Sequence, residues 1–243
     1  MKKENHFQTV AKSYDRHFTE YGNEDALCYD KLPDHIMGSP DYPHWKAEHD
    51  GKADGAKRID IKDWLAPQKD MNFVHLGCSL GLKFKGYDAW PSNYFGVDIS
   101  RETILFLYDY VAEKRLPIGG LYCGSVHETP FAENFFHIGD CIGVLEYYER
   151  DYVYDALREF NRIIKPGGRL ALDIPNIASP SGRAMMEIEK YMGREDKFDM
   201  LPHEFEKMLD KYFYIEDSDL MRTKKSGAEH TQMMIYYCLI CKK

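Results

Sequence analysis

Apolar positions in the back two-thirds of the chain follow two periods. Short, almost wholly apolar runs occur at 72–76, 94–97, 120–123, 138–142, 169–174, 212–215 and 233–241. Runs of that length are those of strands covered on both faces. Between them the apolar residues recur every three or four positions. Ile104, Leu105, Leu107, Tyr108, Val111 and Ala112 follow Ser100, which predicts a helix capped by that serine. Val153, Ala156, Leu157, Phe160, Ile163 and Ile164 predict a second helix, capped by Asp151 and stopped by Lys165-Pro-Gly-Gly168. Pro202 opens a third, with Phe205, Met208, Leu209 and Tyr212 inward. Strands alternating with helices of this length predict parallel βαβ units and a doubly wound α/β sheet.

The front of the chain reads differently. Phe7, Val10, Ala11, Tyr14 and Phe18 lie on one face of a helix predicted over 5–18. Residues 32–58 show no period and are punctuated by Pro33, Gly38, Pro40, Pro43, Gly51 and Gly55, which predicts a long loop. The expected division is therefore a cap or lid over 1–70 and a sheet domain over 71–243.

Composition narrows the classes. In 243 residues, 44% hydrophobic and 30% charged side chains supply a full core and exclude a disordered, collagenous or coiled-coil chain. The net charge of −8 with no basic tract argues against a nucleic-acid partner bound through its phosphates. The longest clean apolar run, 233–240, is too short to cross a bilayer, and the first residues lead into an amphipathic pattern and not a signal-peptide core. A soluble cytoplasmic protein is expected. Cys28, Cys78, Cys123, Cys141, Cys238 and Cys241 fit that compartment as small hydrophobes. Cys238 and Cys241 share a predicted strand, where i and i+3 point to opposite faces, so they are not read as a metal or redox pair. His35, His44 and His49 with Asp34, Asp41 and Asp50 lack compact ligand spacing and read as a substrate-covering loop, with no metal expected.

The most informative stretch is Leu76-Gly-Cys-Ser-Leu-Gly81, a glycine-punctuated turn at the end of a buried strand. Glycines there let the backbone approach a ligand closely. An acid, Asp98, ends the next strand within Gly96-Val-Asp98-Ile-Ser100, where a carboxylate can accept both hydroxyls of a ribose. The same turn also matches a nucleophile elbow with Ser79 attacking an ester. His127, His203 and His230 are then the candidate bases, but residues 1–70 supply neither the preceding strands nor an oxyanion loop. Asp140 interrupts an apolar strand, and a buried carboxylate needs a partner or a function.

These residues resemble the class I S-adenosylmethionine-dependent methyltransferases, in their small-molecule branch, over most of the chain. Gly124-Ser125-Val126 through Phe131 is similar to the family's adenine-cradling segment. Val144-Leu145-Glu146-Tyr147, followed by Leu157 through Gly168, is similar to its fourth strand end, helix and Pro-Gly-Gly turn. Val10-Ala-Lys-Ser-Tyr14-Asp15 resembles its cofactor-covering helix. The resemblance implies a seven-stranded, mostly parallel Rossmann-like sheet of order 3-2-1-4-5-7-6 with an N-terminal helical cap. It further implies S-adenosyl-L-methionine as cofactor, S-adenosyl-L-homocysteine as product and a small-molecule acceptor with an O, N or S nucleophile. Tyr14, Gly77, Cys78, Ser79, Gly81, Asp98, Ile99, Ser125, Val126 and Cys141 are then the cofactor residues. Asp140, Glu146 and Tyr147 are the catalytic candidates, Asp173 and Asn176 lesser ones, and the Met-rich 184–192 face a substrate wall. His75, Ser79, Ser125 and His137 depart from the family pattern, which leaves a non-catalytic binding protein as the rival reading.

Overall fold

The computed structural model describes residues 7–15, 32–51, 60–194, 196–227 and 231–242. Phe18, Cys28, Gly55 and His230 lie outside the described residues. Seven strands form one sheet in the order β3-β2-β1-β4-β5-β7-β6. They are β1 (Asn72–Leu76), β2 (Asn93–Asp98), β3 (Gly120–Cys123), β4 (Phe136–Cys141), β5 (Ile164–Pro175), β6 (Phe213–Ser218) and β7 (Met234–Cys241). The first five pair in parallel, and β7 runs antiparallel between β5 and β6. This is the predicted doubly wound, mostly parallel order. It also removes the elbow reading, because the Ser79 turn follows the first strand of this sheet and no earlier strand precedes it among the described residues.

Alternation along β1 assigns the two faces. Val74 and Leu76 point into a cluster with Val97, Phe136, Leu157 and Phe160, while Phe73 points to Leu82, Tyr87, Trp90, Ile104 and Leu107. Helices α6 (Arg101–Lys114) and α7 (Arg150–Ile163) cover opposite faces, which is why these strands read as continuous apolar runs. The Ser100 hydroxyl accepts from Thr103 N–H, as predicted for a cap. Asp151 does not cap α7. It lies in the first turn behind the cap position Glu149, where its charge still favours the helix N-terminus. The Lys165-Pro-Gly-Gly168 turn is likewise drawn into the start of β5, with Gly167 at φ +77°.

The front segment departs most from expectation. Residues 7–15 form the helix α1, but the loop predicted at 32–58 contains α2 (Asp34–Met37) and α3 (Tyr42–His49). Ile36 and Trp45 pack on Ala184 and Ile188 of α8 (Pro180–Tyr191), and an Asp41–Arg183 ion pair ties the same elements. The Met-rich face of α8 therefore meets the front helices, with Met185 and Met192 in that cluster. His49 stacks on Trp45, and no three acid, histidine or cysteine groups converge on a metal-binding point among the described residues. Next, α4 (Ile61–Leu65) does not join a cap. Leu65 is buried in the core on the α6 face, and the Trp64 carbonyl accepts from Arg169. Then come α5 (Gly81–Phe84), α9 (Pro202–Leu209) and α10 (Asp219–Ser226). No helix among the described residues is long and apolar enough to cross a membrane.

Candidate active site

The site is built where β1 and β2 end side by side. Gly77, at φ +74°, turns the chain so that Gly77 and Cys78 both donate N–H to the Val97 carbonyl, at 2.8 and 2.9 Å. Ser79 follows at φ +39°, a left-handed conformation costly for a side chain with a Cβ. Its N–H donates to Asp98 Oδ2 at 2.7 Å, while Ser100 N–H donates to Oδ1 at 2.8 Å. Asp98 is thus held on both oxygens by backbone N–H groups, with that of Ile99 also acting on it. Burial pushes its carboxyl up to about 6, against the pull of those backbone N–H groups. Gly81 has a different reason to be glycine: a Cβ there would stand 2.4 Å from His75 Cε1. The strain at position 79 yields a test. Ser79→Gly should raise the melting temperature slightly, since it removes about 1–2 kcal/mol of left-handed strain and gives part of that back as unfolded-chain entropy. A fall in thermal denaturation midpoint would show that the serine hydroxyl carries a structural role.

Above this turn lies a cavity of about 280 Å³. Of the residues expected at the cofactor, Tyr14, Gly77, Ser79, Gly81, Asp98, Ile99, Ser125 and Val126 line it. Cys78 and Cys141 do not; both are fully buried beneath it, and burial pushes both thiols well up. Helix α1 closes one side through Val10 and Tyr14, and Phe7 packs on His127, Tyr148 and Tyr152. The Ser125 hydroxyl is shared between Tyr152 Oη and His127 Nδ1 at 2.7 Å each.

The catalytic candidates separate. Glu146 and Tyr147 line the cavity from a 3-10 turn at Leu145–Tyr147. Tyr14 Oη donates to Tyr147 Oη at 3.0 Å. Burial, then Asp173 and Asp196, holds the Glu146 carboxyl well above the usual carboxylate range. Asp140 is not at the cavity. It is fully buried, accepts from Tyr87 Oη at 2.7 Å, and lies 3.9 Å from His75 Nε2. Burial raises Asp140 to about 7 and keeps His75 neutral, while Tyr94 Oη bonds His75 Nδ1 at 3.0 Å. His75 and Asp140 therefore form a polar core under the turn. His137 is remote as well, accepting from Asn72 N–H and meeting Lys165. Asn176 binds the Gln232 carbonyl instead of the cavity, and Asp173 accepts from Gly143 N–H at 2.9 Å. Glu189 and Arg194, which sequence reasoning missed, line the cavity and pair at 2.9 Å. A glutamate on the buried face of the Met-rich helix was the available clue.

Residues 74–172, which carry the turn, Asp98 and Glu146, match the model of a methyltransferase domain. No curated protein matches the chain. Among solved structures, the PH0226 protein of Pyrococcus horikoshii OT3 is 14% identical with a TM-score of 0.60, covering 94% of this chain and 98% of its own. Geranyl diphosphate C-methyltransferase of Streptomyces coelicolor A3(2), solved with Mg²⁺, geranyl diphosphate and S-adenosyl-L-homocysteine, is 12% identical with a TM-score of 0.62, covering 97% and 98%. The cyclase SpnF is 15% identical with a TM-score of 0.53 over 75% and 78%. At these identities the structures speak to the fold alone. Residues 74–172 thus match a methyltransferase domain, and the sheet order with the glycine turn and its strand-end acid is the one that the resemblance to the class I S-adenosylmethionine-dependent methyltransferases implies.

Proposed function

We propose that this protein binds S-adenosyl-L-methionine in the 280 Å³ cavity and methylates a small molecule at an O, N or S nucleophile. The observation that carries this reading is Asp98, which lines the cavity with its oxygens held by backbone N–H groups and, as a carboxylate, has further lone pairs to offer. Those lone pairs suit the two ribose hydroxyls. Gly77, Ser79 and Gly81 lie alongside the methionine and ribose, and Ser125 with Val126 contacts the adenine. The bound cofactor supplies an electrophilic methyl group on a sulfonium. The protein's part is to orient the acceptor and exclude water, which α1 does by covering the cavity with Val10 and Tyr14. Release of product then requires α1 to move aside. Glu146 is placed to take a proton from the acceptor, its buried carboxyl held well above the usual carboxylate range. Tyr147 orients the acceptor beside it. Asp140 has no part in this chemistry. The five cysteines among the described residues are all free thiols, which fits a reducing cytoplasm.

SpnF, a cyclase on this fold, illustrates why fold alone does not fix the reaction. Isothermal titration with S-adenosylmethionine and S-adenosylhomocysteine tests the proposal: saturable one-to-one binding of both is expected. Folded protein that binds neither would favour a binding or regulatory role for another ligand.

The pH dependence of that binding follows from Asp98. Both ribose hydroxyls find acceptors at once on the ionised carboxylate alone, so affinity is full well above pH 6 and falls below it. One proton on a group of pKa about 6 makes S-adenosylhomocysteine bind about tenfold more weakly at pH 5 than at pH 7. Folding carries the opposite sign. The folded empty site holds Asp98 protonated at a pH where the unfolded chain has ionised it, so this group adds stability as pH falls from 6 toward 4. Titration calorimetry at both pH values checks the binding term, and equal affinities would mean that Asp98 is not the ribose partner.

A further inference from the structure

The acceptor end of the cavity is acidic, and its acids are not fully paired. Glu146 is 6% exposed, lines the cavity beside Gly143, and its Oε2 has no hydrogen-bond partner. Asp196 does not line the cavity but acts on Glu146 from behind it; it is 8% exposed, and neither of its oxygens has a partner. Asp173 lies close enough to raise the Glu146 pKa further. Among the described residues, the cationic side chains lining the cavity are Lys85 and Arg194. Lys85 exerts its field on His75 and Asp140, and Arg194 is paired with Glu189 while lying 5.6 Å over the Tyr14 ring. A buried carboxylate without a partner is costly, and a ligand that supplies a positive charge removes that cost.

Resting on the methyltransferase reading, we propose that the acceptor is an organic amine whose protonated nitrogen is held by Glu146. The chemistry excludes the opposite class. A carboxylate or phosphate beside Glu146 would meet it as a like charge, with the Arg194 guanidinium already engaged by Glu189. This separates the pocket from one that takes a diphosphate, as the Streptomyces coelicolor enzyme does. A metal ion is the other cation that such acids attract, but no three ligating groups converge here among the described residues. Tyr14 and Tyr147, joined by their hydroxyls, supply aromatic walls beside Glu146, and ring faces attract ammonium groups. An arylalkyl amine satisfies both features at once. Glu146 is then the residue that selects the acceptor by charge.

The test uses the full chain saturated with S-adenosylhomocysteine and three probes that share one ring and differ in charge. These are 2-phenylethylamine, 2-phenylethanol and 3-phenylpropionate. Calorimetry should show the amine binding about tenfold or more tighter than the alcohol, as expected of one charge-assisted hydrogen bond, and the propionate not binding. Glu146→Gln should abolish that preference and leave S-adenosylhomocysteine affinity within about twofold. Equal binding of amine and alcohol, preference for the propionate, or binding of none of the three would overturn the proposal. So would a large loss of S-adenosylhomocysteine affinity in Glu146→Gln, since the carboxylate would then belong to the cofactor's own ammonium. Failure of S-adenosylhomocysteine to bind the wild type overturns the methyltransferase reading itself, and the control titration shows which of the two has failed.

Discussion

Replacing Asp98 with alanine is expected to weaken S-adenosylhomocysteine binding by about 100-fold or more. The carboxylate would make two charge-assisted hydrogen bonds to the ribose, worth about 1.5–3 kcal/mol each before water restores a part. It also anchors Ser79 and Ser100, whose N–H groups lose their acceptor in the variant. Both losses act on the same ligand, because the first loosens the nucleoside and the second loosens the turn beneath it. Asp98→Asn keeps the shape and one acceptor oxygen, so an intermediate loss of about tenfold is expected. Calorimetric titration of both variants, with circular dichroism to confirm folding, checks the order. Wild-type affinity in the alanine variant would mean the ribose site lies elsewhere.

Gly77→Ala has the second large expected effect, this time on stability and binding together. The residue sits at φ +74°, where a Cβ costs about 1–2 kcal/mol. The added methyl would also stand 2.1 Å from Val144 Cγ2. Neither strand end can yield easily, since Gly77 and Cys78 are both held on the Val97 carbonyl. Overpacking of this kind costs about 1–3 kcal/mol more. The combined expectation is a loss of about 2–4 kcal/mol in chemical denaturation and no measurable S-adenosylhomocysteine binding. Val144→Ala in the same chain should recover the steric part and leave the backbone part. Full recovery in that double variant would show that the positive φ contributes nothing.

Local features of the site were legible in the sequence because they depend on short spacing. The Gly77–Gly81 turn, Asp98 at the next strand end and the Ser100 cap each need only a few neighbours to be recognised. What the sequence does not display is the face on which a strand residue lies. Asp140 looks like a site residue at the end of β4, but it shares the parity of Ile138 and points to the Phe73 and Tyr87 side, away from the cavity. Parity alone decides that, and the register shift between Phe136 and Ile138 obscures it. The front helices were illegible for another reason. Only Trp45 of α3 is buried, and what holds the helix is packing on α8, more than a hundred residues away. Glu189 and Arg194 line the cavity from α8 and the turn after it, and the local clue is limited to a glutamate on the buried face of that helix.

The most direct test of the account is a crystal structure grown with saturating S-adenosylhomocysteine. The account predicts the nucleoside in the cavity, both ribose hydroxyls within hydrogen-bond distance of Asp98, adenine beside Ser125 and Val126, and sulfur facing the Glu146–Tyr147 turn. A nucleoside bound anywhere else, or a cavity left empty at saturation, would contradict it.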